Sequence, residues 1–216
     1  MKIKNAAIGT AALALGAVAV AGPALATGSA YQVSVGGSSA SGTHNITATA
    51  GSISFGVPGT SMSCSSANVP GAPAPVTTVT SGASVTDIAS IGQVNFVGCT
   101  IPGGAATVTT TGPWTLHGTG AATSGSSDVV AGHIEGISAR VFNAACDFTV
   151  TGTARGSFDE ATQKLAVSEP GGTGGQLVVA SVNPAKPCLS KVKTGMIASF
   201  GGTFTLVSPD GTILVG

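Results

Sequence analysis

Cys146-Asp147-Phe148-Thr149-Val150-Thr151-Gly152 alternates apolar and polar side chains at every step. Cys146, Phe148 and Val150 share one face of an extended chain, and Asp147, Thr149 and Thr151 share the other. A period of two belongs to a strand with one packed face, not to a helix. The same rhythm recurs outward from this segment. Val94 and Phe96 share a face in Gln93–Phe96, and further runs rich in Val, Ile, Thr and Phe fall at 31–35, 45–50, 52–55, 76–80, 106–111, 134–142, 164–168, 177–182 and 202–207. Clusters of Gly, Pro and Ser separate them, as turns separate strands. Ten or more short strands and no helical period beyond residue 26 predict an all-β fold, an antiparallel β-sandwich or jelly-roll-like domain.

Composition narrows the function classes. The 216 residues include eight Lys or Arg, eight Asp or Glu, 33 Gly and 51 Ser or Thr. Charge is far below the roughly 25% of an ordinary soluble domain. So balanced a chain has no basic stripe to neutralise phosphates, which argues against a nucleic-acid partner. With 43% apolar residues, disorder driven by charge repulsion is excluded as well.

The first 26 residues read as a signal peptide. Lys2 and Lys4 precede an apolar stretch from Ala6 to Ala21, Gly22-Pro23 breaks it, and Ala24-Leu25-Ala26 supplies a small-x-small cleavage pattern. The stretch is too short and too rich in Ala and Gly for a membrane span, which needs ~20 strongly apolar residues. The expected mature domain is 27–216, with no membrane span after cleavage, secreted and extracellular or associated with the cell wall. A porin-like membrane barrel would need aromatic girdles, and the chain has one Trp, one Tyr and seven Phe.

Export decides the cysteines. Cys64, Cys99, Cys146 and Cys188 are an even set in an oxidising compartment, so two disulfides are expected. No C-x2-C pair is present and His44, His117 and His133 are dispersed, so no metal or cofactor is expected. Three pairings are open, and an internal repeat selects among them. Cys99 is followed fifteen residues later by the Trp of Gly112-Pro113-Trp114-Thr115-Leu116. Cys188 is followed sixteen residues later by the Phe of Gly202-Thr203-Phe204-Thr205-Leu206. Two copies of one unit, approximately 40–128 and 129–216, favour Cys64–Cys99 and Cys146–Cys188.

Asp210-Gly211 reads as the turn of a hairpin between Phe204–Val207 and Ile213–Val215, and Phe158–Leu165 reads as a longer hairpin. Residues 65–75, 118–127 and 169–175 read as loops. No catalytic motif is present. His133-Ile134-Glu135, near Ser138 and Arg140, is the nearest approach to one, but the strand period aims His133 and Glu135 outward, as an exposed polar edge. Asp159, Glu160, Glu169 and Asp210 fall in turns, where acids serve solubility, and Asp159-Glu160 lacks the ligand spacing of a calcium loop.

The layout resembles a family of uncharacterised secreted actinobacterial proteins rich in Gly, Thr and Ser. The likeness runs through Ser41–Thr49, Ser61–Cys64, Gly98-Cys99-Thr100, Gly112–Leu116 and Cys146–Gly152. More distantly, composition and cysteine layout are similar to the PraB-type activator of alkane oxidation, which implies an association with alkanes; neither family supplies catalytic residues to carry over. The expected function is a non-enzymatic extracellular or cell-surface structural or interaction protein: a matrix, coat or filament subunit that associates with itself or the cell wall. The alternative is a binding module for a small apolar ligand or a cell-wall polysaccharide, with Trp114, Phe148 and Phe204 lining a cavity between sheets.

Overall fold

A computed structural model describes residues 29–71, 76–123 and 128–216. The expected signal peptide, 1–26, and parts of the loops at 65–75 and 118–127 lie outside these residues. Among the described residues there are eighteen strands and one short 3-10 turn, Cys188–Ser190. The strands are β1 (Tyr31–Val35), β2 (Gly42–Asn45), β3 (Thr47–Ala50), β4 (Ile53–Val57), β5 (Thr60–Cys64), β6 (Ser66–Val69), β7 (Thr78–Val85), β8 (Asp87–Ile91) and β9 (Asn95–Val97). They continue with β10 (Cys99–Ile101), β11 (Gly104–Thr110), β12 (Trp114–Gly118), β13 (Val129–Phe142), β14 (Cys146–Asp159), β15 (Lys164–Glu169), β16 (Leu177–Pro187), β17 (Ile197–Val207) and β18 (Ile213–Val215).

All the pairings are antiparallel and join into one sheet that returns to its own start. At the Cys146 end the circuit runs β13–β14–β16–β17–β4–β5–β10–β11 and back to β13. At the other end it runs β13–β14–β15–β17–β3, then through Ile46 into β2, and home by β7, β8 and β12. The Ile46 amide holds that corner by donating to Thr77 O at 3.0 Å. Each described strand has at least one partner, and closure leaves few strand edges unpaired, the usual answer of an all-β chain to its edges.

The alternating pattern survives as inside and outside. In β14, Cys146, Phe148 and Val150 are buried, and in β17 Phe204 is buried between exposed Thr203 and Thr205. These side chains meet those of the other strands in one continuous core. Both disulfides have the pairing the repeat favours, Cys64–Cys99 and Cys146–Cys188, closing loops of 35 and 42 residues. By the chain-entropy estimate each loop of that size stabilises the fold by about 4 kcal/mol.

Two local expectations fail. The segment 65–75 is not wholly a loop, because Ser66–Val69 forms β6 against β3 and β9. Asp210-Gly211 does turn, with Gly211 at φ 116, but the strands on either side do not pair with each other. β17 lies between β15 and β3, while β18 crosses over to β1. The turn therefore carries the chain from one part of the sheet to another.

Candidate functional site

Among the described residues, three places gather side chains capable of recognition or chemistry. The first is an apolar cavity of about 100 Å³ within the closed sheet, whose wall exposes no polar atom. Trp114 and Phe204 line it, together with Phe55, Met62, Phe96 and Phe200. The indole is fixed by donating from Nε1 to Thr111 O at 2.8 Å. Phe148, expected in the same wall, is not part of it. It stacks on Phe55 with ring centroids 6.1 Å apart and packs toward Cys146 and Cys188 instead. The space is a fraction of the 300–1,000 Å³ of a drug-sized pocket and approaches the ~150 Å³ that holds benzene in an engineered core.

The second place is on the outer face of β12 and β13. His117 stands directly opposite His133 in the register, and Thr115 opposite Glu135. Side chains two apart on one strand share a face, so both histidines and Glu135 come together. The rings lie 5.2 Å apart. His117 Nε2 is 2.8 Å from Glu135 Oε1, and His133 Nε2 is 4.0 Å from Glu135 Oε2. On its far side His117 Nδ1 meets Thr86 O at 3.1 Å and Asp87 Oδ1 at 3.4 Å. Two irregularities in pairing flank the cluster, one between Leu116 and His117 against β8 and one between Ile134 and Ile137 against β14. Bulges of this kind re-aim the side chains beside them; here Gly136, at φ 70, takes the turned position.

This cluster corrects two sequence expectations. His133 does face away from Ile134, yet it is only 4% exposed, so the segment is not simply an exposed polar edge. Burial and the neighbouring His117 hold the His133 imidazole below the usual histidine range, favouring the neutral ring. His117 and His133, sixteen residues apart and read as dispersed, touch across the strand pair. Ser138 is not part of the cluster, and Arg140 is committed elsewhere.

The third place joins β2, β7 and the turn before β18. His44 Nδ1 lies 2.8 Å from Asp210 Oδ2, and His44 Nε2 lies 3.0 Å from Ser81 Oγ. The order Ser–His–Asp is that of a nucleophilic relay, but the surroundings differ. Ser81 is 2% exposed, and its hydroxyl donates to Ala40 O at 2.6 Å. A buried hydroxyl already engaged with a backbone carbonyl is neither reachable by a substrate nor free to give its proton to His44. The trio ties three chain segments together.

The carboxylates read as solubilising turn residues are partly structural. Glu169 is 2% exposed and accepts from Arg155 N at 2.9 Å and Gln176 N at 2.5 Å. Glu160 is also buried; it accepts from Val215 N and from Asp128 N, and burial pushes its carboxyl above the ordinary range. Asp147 is gripped through two bonds of 2.8 Å from Arg140 and one of 3.1 Å from Asn183. The Arg140 bonds lead in holding its carboxyl down to about 2.

No family description, curated protein or solved structure matches the chain.

Proposed function

We propose that this chain is an exported, non-enzymatic extracellular or cell-surface scaffold, a matrix, coat or filament subunit. One observation carries the reading. Thr205, Thr49, Asn68 and Asn95 form an uncharged row across the adjacent strands β17, β3, β6 and β9, bounded on the β15 side by exposed Lys164. Beside the row stand exposed Thr203, Thr47 and Val207. A face with hydroxyls, amides and methyls but little charge packs against a copy of itself, or against neutral polysaccharide, without desolvating ions. The doubly cross-linked sheet keeps that face rigid, so association orders little that was mobile. The resemblance to secreted Gly/Thr/Ser-rich actinobacterial proteins fits the same role, as does the two-copy reading of 40–128 and 129–216. In that reading Trp114 pairs beside Ile91 as Phe204 pairs beside Leu165.

The test is size-exclusion chromatography with negative-stain microscopy, plus binding to whole cells, for the wild type and Thr49→Lys/Thr205→Lys. Assemblies or cell binding that the lysines abolish support the reading. A wild-type monomer that ignores cells counts against it.

The cavity favours a second reading, an apolar-ligand module that accepts molecules no larger than benzene or a short alkane. Trp114 is the sole Trp and forms part of the wall, so its fluorescence reports occupancy. No spectral change on exposure to short alkanes or benzene excludes this reading.

A further inference from the structure

We propose that His117, His133 and Glu135 form a binding site for a divalent transition-metal ion of the zinc type on the outer face of β12 and β13. Their ligand atoms all lie within 4.8 Å of one another, close enough for small side-chain rotations to bring them onto a common ion at bonding distances of about 2.0–2.2 Å.

His133 is the most telling member. An imidazole 4% exposed normally satisfies its polar atoms, because a buried unpaired nitrogen is costly. Here Nδ1 is buried with no hydrogen-bond partner, and the Glu135 carboxylate stands 4.0 Å from Nε2, outside hydrogen-bonding range. Neither ring nitrogen thus has a hydrogen-bond partner among the described residues, and the 4.0 Å between Nε2 and Glu135 Oε2 is a gap that an ion bound at about 2 Å to each would span. Arg155, in register with His133, does not claim the Glu135 carboxylate: its side chain is engaged with Glu169 and with Gly174 O.

His117 supplies the second argument. With its Nδ1 hydrogen directed at Thr86 O and Asp87, the ring presents Nε2 to the cluster. A histidine that ligates metal commonly donates its other N–H to a backbone carbonyl or carboxylate, which fixes tautomer and ring angle. That outer arrangement is already in place here. The contact between His117 Nε2 and Glu135 Oε1 at 2.8 Å is one that an ion replaces, taking the bridging role from a proton.

The ligand set selects the ion. Two imidazoles and one carboxylate suit zinc, copper(II) or nickel, whereas calcium and magnesium prefer oxygen ligands alone. Three protein ligands leave at least one position for water, and the half-exposed Glu135 marks the open side.

The experiment titrates metal-free protein with Co²⁺ and Zn²⁺, following Co²⁺ by its visible absorption and Zn²⁺ by calorimetry and by the shift in melting temperature. One ion per chain is expected. Glu135→Gln and His117→Ala lie at exposed or partly exposed positions and carry the test even if His133→Ala fails to fold. Each should weaken binding by roughly tenfold or more and remove the thermal shift, while His44→Ala leaves both intact. Absence of binding in the wild type overturns the proposal. So does binding unchanged in Glu135→Gln and His117→Ala, or weakened equally by His44→Ala.

Discussion

Phe148 stacks on Phe55 across the interior, ring centroid to ring centroid 6.1 Å, and so joins the two cross-linked parts of the sheet. Phe55 sits on β4, whose partner β5 ends at Cys64, and Phe148 is two residues from Cys146. The pair packs Phe148, inside the Cys146–Cys188 loop, against the β4–β5 hairpin that leads into Cys64. Phe148→Ala should therefore cost about 3–5 kcal/mol, read as a lowered urea midpoint. Because Phe148 is outside the Trp114 cavity, Trp fluorescence of the still-folded variant should keep the wild-type emission maximum.

Removing either disulfide should cost about 4 kcal/mol. Loop lengths of 35 and 42 residues differ too little to separate the two by more than a few tenths. Denaturant unfolding of Cys64→Ser/Cys99→Ser and of Cys146→Ser/Cys188→Ser checks this, and both should lose stability to a similar extent.

The fold was legible wherever one face of a strand packs and the other meets water. Tyr31–Val35 and Ile213–Val215 have the predicted bounds, and β13 and β14 extend the predicted segments at 134–142 and 146–150 along a continuing pattern. The short strands were harder to see. β8 does not alternate, since Ile88 and Ala89 are buried in succession, β10 is set off from β9 by Gly98 alone, and β12 follows directly on Gly112-Pro113. The disulfide pairing came from the repeated spacing of cysteine and aromatic. The polar clusters escaped because they depend on register. His133 points as its period says, but it is the cross-strand partner His117 that makes it half of a pair, and no local pattern encodes that meeting. Glu160 and Glu169 likewise sit at strand ends, where acids are common, and only the return of Val215 and Gln176 turns them into buried acceptors.

Two carboxylates give opposite pH effects. The folded-state pKa of Asp147 is depressed to about 2, so its contribution is complete above about pH 4 and is lost as pH falls toward 2. Glu160 is raised by burial, so the native state binds its proton more readily than the unfolded chain. Its effect is a gain in stability as pH falls from neutrality through that raised pKa. His133, held below the ordinary histidine range by burial, acts the other way and loses stability as pH falls toward its lowered pKa. The two effects oppose one another below neutrality, so urea midpoints should fall clearly only below about pH 4, where Asp147 becomes protonated. Asp147→Asn should cost about 1–2 kcal/mol at pH 7 and flatten the acid limb.

The outer edge of β18 is covered by side chains. Gln163 donates from Nε2 to Ile213 O and accepts from Ile213 N, both at 2.9 Å, and Glu160 accepts from Val215 N. These bonds occupy groups that an incoming strand would use. Gln163→Ala should expose them and promote self-association, seen as concentration-dependent growth in light scattering where the wild type shows less.

Export and double cross-linking of the β scaffold can be read together by intact-mass spectrometry of natively produced protein alkylated without prior reduction. An exported, disulfide-bonded chain should begin at Thr27 with none of its four cysteines labelled. A chain that retains residues 1–26 and carries alkylated cysteines would contradict both export and cross-linking.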